Sequence, residues 1–123
     1  MAIRVVVNTH VKDENVDAML AYWRQKSELC TRERGNLQYE TFRSIIDPNN
    51  FALLELWRDQ SSYDEHWQAE LRRDKPRFDN GPRRTGRDGV EFYFEHRYYR
   101  HENGIWRVAE DQLEPDGTGE PRP

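Results

Sequence analysis

A single cysteine, Cys30, is all the thiol this chain has, which excludes an intrachain disulfide framework. Its place within a helical pattern suits packing in a reducing compartment. No segment approaches the ~18 consecutive apolar residues of a membrane-spanning helix. Met1-Ala2-Ile3-Arg4 leads straight into a strand pattern with no apolar leader core, so a cytoplasmic location and no membrane partner are expected. Neither sign of charge dominates: 34% of the residues are charged, yet the net charge is −4. That balance excludes a basic nucleic-acid binder and a strongly acidic tail protein. With 123 residues the chain suits one domain with one core, small enough for leftover apolar surface to be covered by self-association.

What is present is concentrated between Gly35 and Trp67, GNLQYETFRSIIDPNNFALLELWRDQSSYDEHW. Leu37 to Phe42 alternate with an aromatic and β-branched bias and read as a strand. Asp47-Pro48-Asn49-Asn50 reverses the chain, and Phe51 to Trp57 returns as a strongly apolar strand. Ser61 or Ser62 is the expected N-cap of a following helix, with Asp64 or Glu65 completing a capping box. Tyr63, Trp67 and Leu71 then point inward, until Pro76 makes continuation costly.

Ahead of this block, Ile3 to Val11 reads as a strand with Ile3, Val5, Val7, Thr9 and Val11 on one face and Arg4, Val6, Asn8 and His10 on the other. Lys12 to Asn15 is polar enough to cap a helix in which Val16, Met19, Leu20, Trp23 and Cys30 recur near helical spacing. Gly35 is expected to end that helix in the left-handed conformation. Beyond the block, Arg72 to Arg87 is basic, punctuated by proline and glycine, and reads as an irregular loop. Val90 to Tyr99 forms a fourth strand, and Asn103-Gly104 turns it into a short extra strand at Ile105 to Val108. Residues 1–110 make up the expected domain; Asp111 to Pro123, rich in proline, glycine and acid, is an expected disordered tail.

The order strand, helix, strand, strand, helix, strand is that of an α+β, ferredoxin-like βαββαβ domain: a four-stranded antiparallel sheet with both helices on one face. The other face stays bare. Glu55 and the aromatic residues of the fourth strand are expected to make it part polar and part apolar, which suits pairing with a second copy in a homodimer.

These residues resemble the antibiotic biosynthesis monooxygenase domains, small dimeric α+β barrels. The resemblance rests on the glycine before the second strand, the YETFRS strand, the DPNNF turn, the LLELW strand and the RDQSSYDEHW helix opening, over Ile3 to about Lys75. It implies a dimer with a cavity between sheet and helices. It also implies oxidation of a phenolic, anthrone or quinol-type aromatic by O2 without flavin, haem or metal, so no cofactor is expected. Barrels of this architecture also include polyketide cyclases, isomerases and proteins without assigned activity. Polyketide cyclisation or isomerisation, or ligand binding without catalysis, are therefore the alternatives.

Such oxygenation needs a base to ionise the phenol and a dry aromatic pocket to hold the radical pair. Trp57 and Tyr63 match cavity positions of anthrone-oxidising relatives, although they also suit an ordinary core. Where those relatives carry an asparagine four residues before the tryptophan, this chain has Leu53. Asn8 is either a buried hydrogen-bonding amide or a substrate handle. Haem-degrading relatives pair an asparagine on this strand with a tryptophan and a ligating histidine, at positions held here by His66 and by Arg77 or Phe78, which argues against haem chemistry. His66, where the family commonly has a histidine, is a candidate base or a helix-surface histidine; His10 is a second candidate. Trp67, Trp23, Tyr39, Arg43 and His96 complete the candidate substrate-binding set, each also compatible with packing or an exposed strand end. His10 and His96 on neighbouring strands lack a nearby carboxylate at ligand spacing, so no metal site is predicted. His101 reads as turn surface. The basic loop could steer an acidic substrate, but its interspersed Asp74, Asp79 and Asp88 speak against nucleic acid.

Overall fold

The computed structural model describes residues 1–73, 84–85 and 91–109, apart from the side chains of residues 84–85 and 91–97. Most of the basic loop, the tail from Asp111 and the His96 side chain, all subjects of expectations above, lie outside the described residues.

The elements run β1 (Ile3–His10), a single 3-10 turn (Asp13–Asn15), α1 (Val16–Cys30), β2 (Asn36–Arg43), β3 (Asn50–Trp57), α2 (Gln60–Glu70), β4 (Arg84–Thr85), β5 (Glu91–Glu102) and β6 (Ile105–Val108). The sheet order is β2-β3-β1-β5-β4, with β6 also paired to β5. The β1–β3, β2–β3 and β1–β5 pairings are antiparallel. This is the expected ferredoxin-like α+β arrangement with its extra C-terminal strand. The two-residue β4, inside the stretch read as irregular loop, was not expected; it pairs with Tyr93 and Glu91 of β5.

Register fixes which residues share a face. Ile3 lies opposite Trp57, Val5 opposite Glu55, Val7 opposite Leu53 and Thr9 opposite Phe51, while Tyr39 lies opposite Glu55. Because side chains alternate along a strand, these odd-numbered residues line one face. That face holds the core: Ile3, Val5, Tyr39, Trp57, Tyr63 and Tyr98 with Cys30 in one cluster, and Val11, Val16, Met19 and Phe51 in another. Glu55 belongs to this buried face and not to the bare one, contrary to expectation; it is 6% exposed. Asn8 and His10 lie on the opposite face, away from the helix-covered residues.

Helix boundaries follow local chemistry. α1 gives up regular geometry at Cys30, several residues before Gly35. The glycine, at φ 76°, instead turns the chain into β2 and accepts a hydrogen bond from Arg58 N at 2.8 Å. The cap of α2 is Asp59 and neither serine: its carboxylate accepts from Ser62 N at 2.8 Å and from Ser62 Oγ at 2.7 Å. An aspartate in extended conformation one residue before the helix satisfies an orphan amide directly. Leu71, expected inward, is 49% exposed, because Tyr63, His66 and Glu70 supply the buried stripe of α2 instead.

A methyl group on Gly35 would come within 2.0 Å of Ser62 Oγ and would occupy a backbone conformation that strains other residues. Gly35→Ala should therefore lower unfolding free energy by at least ~1–3 kcal/mol in urea denaturation, the backbone cost alone. A loss within ~0.5 kcal/mol, the range of a neutral surface change, would show that the β2 entry is more plastic than this packing implies.

Candidate functional site

The unusual feature of the helix-covered face is a chain of ionisable side chains inside it. On α1, Val16, Met19, Trp23, Lys26 and Cys30 recur at three- and four-residue steps, so Lys26 falls within the apolar stripe. On α2, Tyr63, His66 and Glu70 do the same. When the two stripes meet, Lys26 and Glu70 form a buried ion pair with side chains 10% and 2% exposed. Arg73, just past α2, bonds Glu70 through Nη1 and approaches Glu33 Oε1 at 3.2 Å through Nη2. Glu33 Oε2 lies 2.9 Å from His66 Nδ1, and His66 Nε2 lies 3.8 Å from Glu55 Oε1. Glu55 Oε1 in turn accepts from Trp57 Nε1 at 3.1 Å.

Electrostatics follow from this order. Burial pulls the Lys26 ammonium down, but its hydrogen bond and charge interaction with Glu70 more than reverse that, leaving it above its ordinary value. Burial pushes the Glu33 carboxyl up, and the bonds from His66 and Arg73 overcome it, leaving it low. For Cys30 the balance goes the other way: burial, with Glu33 beside it, outweighs the opposing Lys26 and Arg73 cations and pushes the thiol up to about 12. Burial, and then Glu55, hold the Tyr39 phenol well above its ordinary range, so it stays protonated and can donate a hydrogen bond but cannot serve as a base.

Donor atoms of Cys30, Glu33, His66 and Glu70 lie within 4.8 Å of one another, a spacing compatible with a metal ion. The Arg73 guanidinium contacts three of the four, with Nη1 3.9 Å from Cys30 Sγ besides its bonds to Glu33 and Glu70. A protein cation thus already neutralises these carboxylates, and the thiol disfavours ionisation, so the donor set does not fit a resident metal.

Around the imidazole packs an aromatic shell. His66 is 4.6 Å from Trp57, 6.2 Å from Tyr63, 5.8 Å from Trp67 and 6.1 Å from Tyr39, measured between ring centroids. His66, Tyr63, Trp57, Trp67 and Tyr39 are therefore brought together. His66 itself is 3% exposed, which corrects its reading as a helix-surface residue. Both its ring nitrogens face carboxylates, Nδ1 toward Glu33 and Nε2 toward Glu55, within the aromatic shell.

Beyond Tyr39 opens a cleft of about 380 Å³ between α1 and β2, with Leu20, Trp23, Tyr39, Thr41, Arg43 and Phe51 on its walls. Trp23 and Phe51 meet at a centroid distance of 5.0 Å, with ring planes tilted by 57°. Tyr39 is thus the partition between cleft and buried network. Asn8 and His10 join neither: His10 Nδ1 lies 2.6 Å from Asn50 Oδ1 on the other sheet face. The β1–β5 register sets His96 opposite Val7, not opposite His10, which separates the two histidines considered as a pair.

The family model described as antibiotic biosynthesis monooxygenase matches residues 2–74, more than half of the chain. The chain belongs to the antibiotic biosynthesis monooxygenase family. No curated protein matches. Among solved structures, a conserved protein of Methanosarcina mazei Go1 is 31% identical with a TM-score of 0.53, over 55% of this chain and 67% of that one. A candidate antibiotic biosynthesis monooxygenase of Nitrosomonas europaea is 25% identical with a TM-score of 0.52, over 55% and 64%. A protein of Shewanella oneidensis is 26% identical with a TM-score of 0.50, over 53% and 63%. The likeness to the latter two spans less than two thirds of their length.

Sequence reasoning missed Lys26, Glu33, Glu70 and Arg73 in this family member's site. The available signal was a charged residue at an apolar-stripe position on each of two helices, Lys26 and Glu70.

Removing one partner of a buried pair leaves the other charge uncompensated. Glu70→Leu should cost ~3–5 kcal/mol, and the double variant Lys26→Met/Glu70→Leu should recover most of it, as read by denaturant midpoints. A double variant no more stable than the single would refute the pairing. Glu33, held below its ordinary value of 4.5, contributes stability that is complete above about pH 5 and lost as pH falls through its folded value. Glu33→Gln should accordingly flatten the acid limb of a midpoint-versus-pH curve. Cys30, with its raised thiol, should resist iodoacetamide at pH 8 until denaturant is added; prompt labelling of the native protein would contradict its burial.

Proposed function

We propose that this family member is a monooxygenase that binds a planar phenolic, anthrone or quinol-type aromatic in the cleft between α1 and β2 and oxidises it with O2. The observation that carries this reading is the cleft's aromatic corner, Trp23 and Phe51, standing beside Tyr39 and thereby next to the buried His66 network. An aromatic-lined cleft of this size suits a ligand of two or three fused rings.

In this mechanism the substrate supplies the reducing electrons. Loss of a phenolic or enolic proton to solvent water at the open side of the cleft gives an electron-rich anion, favoured by the nearby Arg43 charge. The anion passes an electron to O2, and the apolar walls keep the radical pair together until the carbon–oxygen bond forms. For a CH2 between aromatic rings the balance is CH2 + O2 → C=O + H2O. The four electrons come from the two C–H bonds; one oxygen atom stays on carbon and the other leaves as water. Tyr39, held protonated, donates a hydrogen bond to the developing oxyanion. His66 acts behind it, fixing the partition through Glu33 and Glu55 and not by taking the substrate proton.

The uncovered sheet face, with Val6 and Leu54 side by side, supports a homodimer formed through it. Leu54→Asp should shift the protein to monomer in light scattering at micromolar concentration; an unchanged mass would reject that face.

Oxygen uptake by the metal-stripped protein against anthrones, naphthols and reduced quinones, with product mass recorded in parallel, tests the chemistry. Enzyme-dependent uptake with one oxygen atom gained is expected, and Tyr39→Phe should lower kcat by ~10²-fold while the protein stays folded. Product without uptake would move the assignment to cyclisation or isomerisation on the same cleft.

A further inference from the structure

The cleft carries one cation whose geometry is set before any ligand arrives. Arg43 donates from Nε to the Pro48 carbonyl oxygen, and its guanidinium carbon sits 5.3 Å from the centroid of the Phe51 ring. These contacts use the Nε–H and hold the group over the Phe51 ring, leaving the Nη1 and Nη2 hydrogens without a partner among the described residues. A guanidinium fixed at its Nε and seated over an aromatic ring has lost much of the rotamer freedom that weakens an exposed arginine as a binding group.

Below it lies the aromatic corner of Trp23 and Phe51. A flat ring system resting there, with a carboxylate at its edge, would offer two oxygens to two Nη groups, the geometry in which guanidinium binds anions best. A neutral hydroxyl or amide at the same place would offer a single uncharged acceptor oxygen, without the two-oxygen fork or the ion-pair attraction. The rim also holds Arg24, Glu28 and Glu40, the last engaged by Gln38 Nε2 at 3.0 Å. Two cations and two carboxylates nearly cancel at long range, so selection for an anion must come from a local contact, and Arg43 is the rim cation held in place by its neighbours.

We propose that the cleft between α1 and β2 selects aromatic carboxylates, with Arg43 as the residue that reads the acid group. This rests on the assignment of that cleft as the substrate site and narrows its substrate class to aromatics bearing a carboxylate.

The test is an equilibrium titration of the intact protein with 2-naphthoate and, separately, with its uncharged counterpart 2-naphthamide, followed by tryptophan fluorescence. The acid should bind at least ~10-fold more tightly than the amide, the factor of one bidentate charged contact over a neutral one. Arg43→Gln should reduce that preference to roughly twofold or less, and Arg43→Lys, which keeps charge but not the fork, should fall between. Trp23→Phe should remove most of the fluorescence change, locating the ligand in the cleft. Equal binding of acid and amide, no saturable binding of either, a preference that survives Arg43→Gln, one lost instead in Arg24→Gln, or an undiminished signal in Trp23→Phe would each overturn the proposal. Binding is read without turnover, so failure of oxygen uptake would reject the oxygenase reading while leaving this result standing.

Discussion

The buried contact between Lys26 and Glu70 is the constraint on which the rest of this structure depends. Each charge alone would make helix packing against the sheet prohibitively costly, since moving an ion out of water costs several kcal/mol even after relaxation. Together, and only with α1 and α2 in one relative register, they become tolerable. The pair therefore acts as a key for how the helices seat. Arg73 and Glu33 extend the same logic to the chain segments that follow each helix, and His66 carries it onto the sheet at Glu55. A hydrophobic replacement could pack as tightly, but it would not penalise a helix shifted by one turn.

From that seating the candidate site follows. Because Glu55 and His66 are drawn into the interior, Trp57, Tyr63 and Tyr39 close around them, and Tyr39 becomes a wall with polar machinery behind and a cleft in front. The cleft exists because α1 covers β2 with Trp23 and Leu20 and leaves room beside Phe51. Function in this reading is divided: the deep network fixes geometry, and the rim meets the ligand. That division places the most conspicuous titratable residue, His66, in the deep part, 3% exposed.

Element order and type were legible in the chain, and so was family membership, because they rest on local pattern. Period-two alternation in β1 and β2, the apolar run of β3, the Asp47 to Asn50 turn and the Asn103-Gly104 hairpin each express a preference of a few neighbouring residues. The cap of α2 was misread because Asp59 and Ser61 or Ser62 satisfy the same local rule, and only the geometry of chain entry chooses between them. Glu55 was placed on the wrong face because a lone carboxylate in an apolar strand reads as solvent-facing unless its partners are known. Those partners, His66 and Trp57, lie on a different helix and on the same strand two residues away. Arg43 and Trp23 were recognised as candidate ligand contacts by residue type, but nothing local indicated that they share a cleft.

The sequence by itself determined the antiparallel sheet, the two covering helices and the apolar face they cover, since short-range propensity and periodicity suffice for these. Only the tertiary structure decided that six ionisable groups would be linked, the buried Lys26, Glu55, His66 and Glu70 with the part-exposed Glu33 and Arg73, and that Tyr39 would divide them from an aromatic cleft. The physical reason is distance along the chain. Lys26 and Glu70 are separated by 44 positions, and the sign and reach of an electrostatic contact depend on a separation and a dielectric that exist only once the helices have docked.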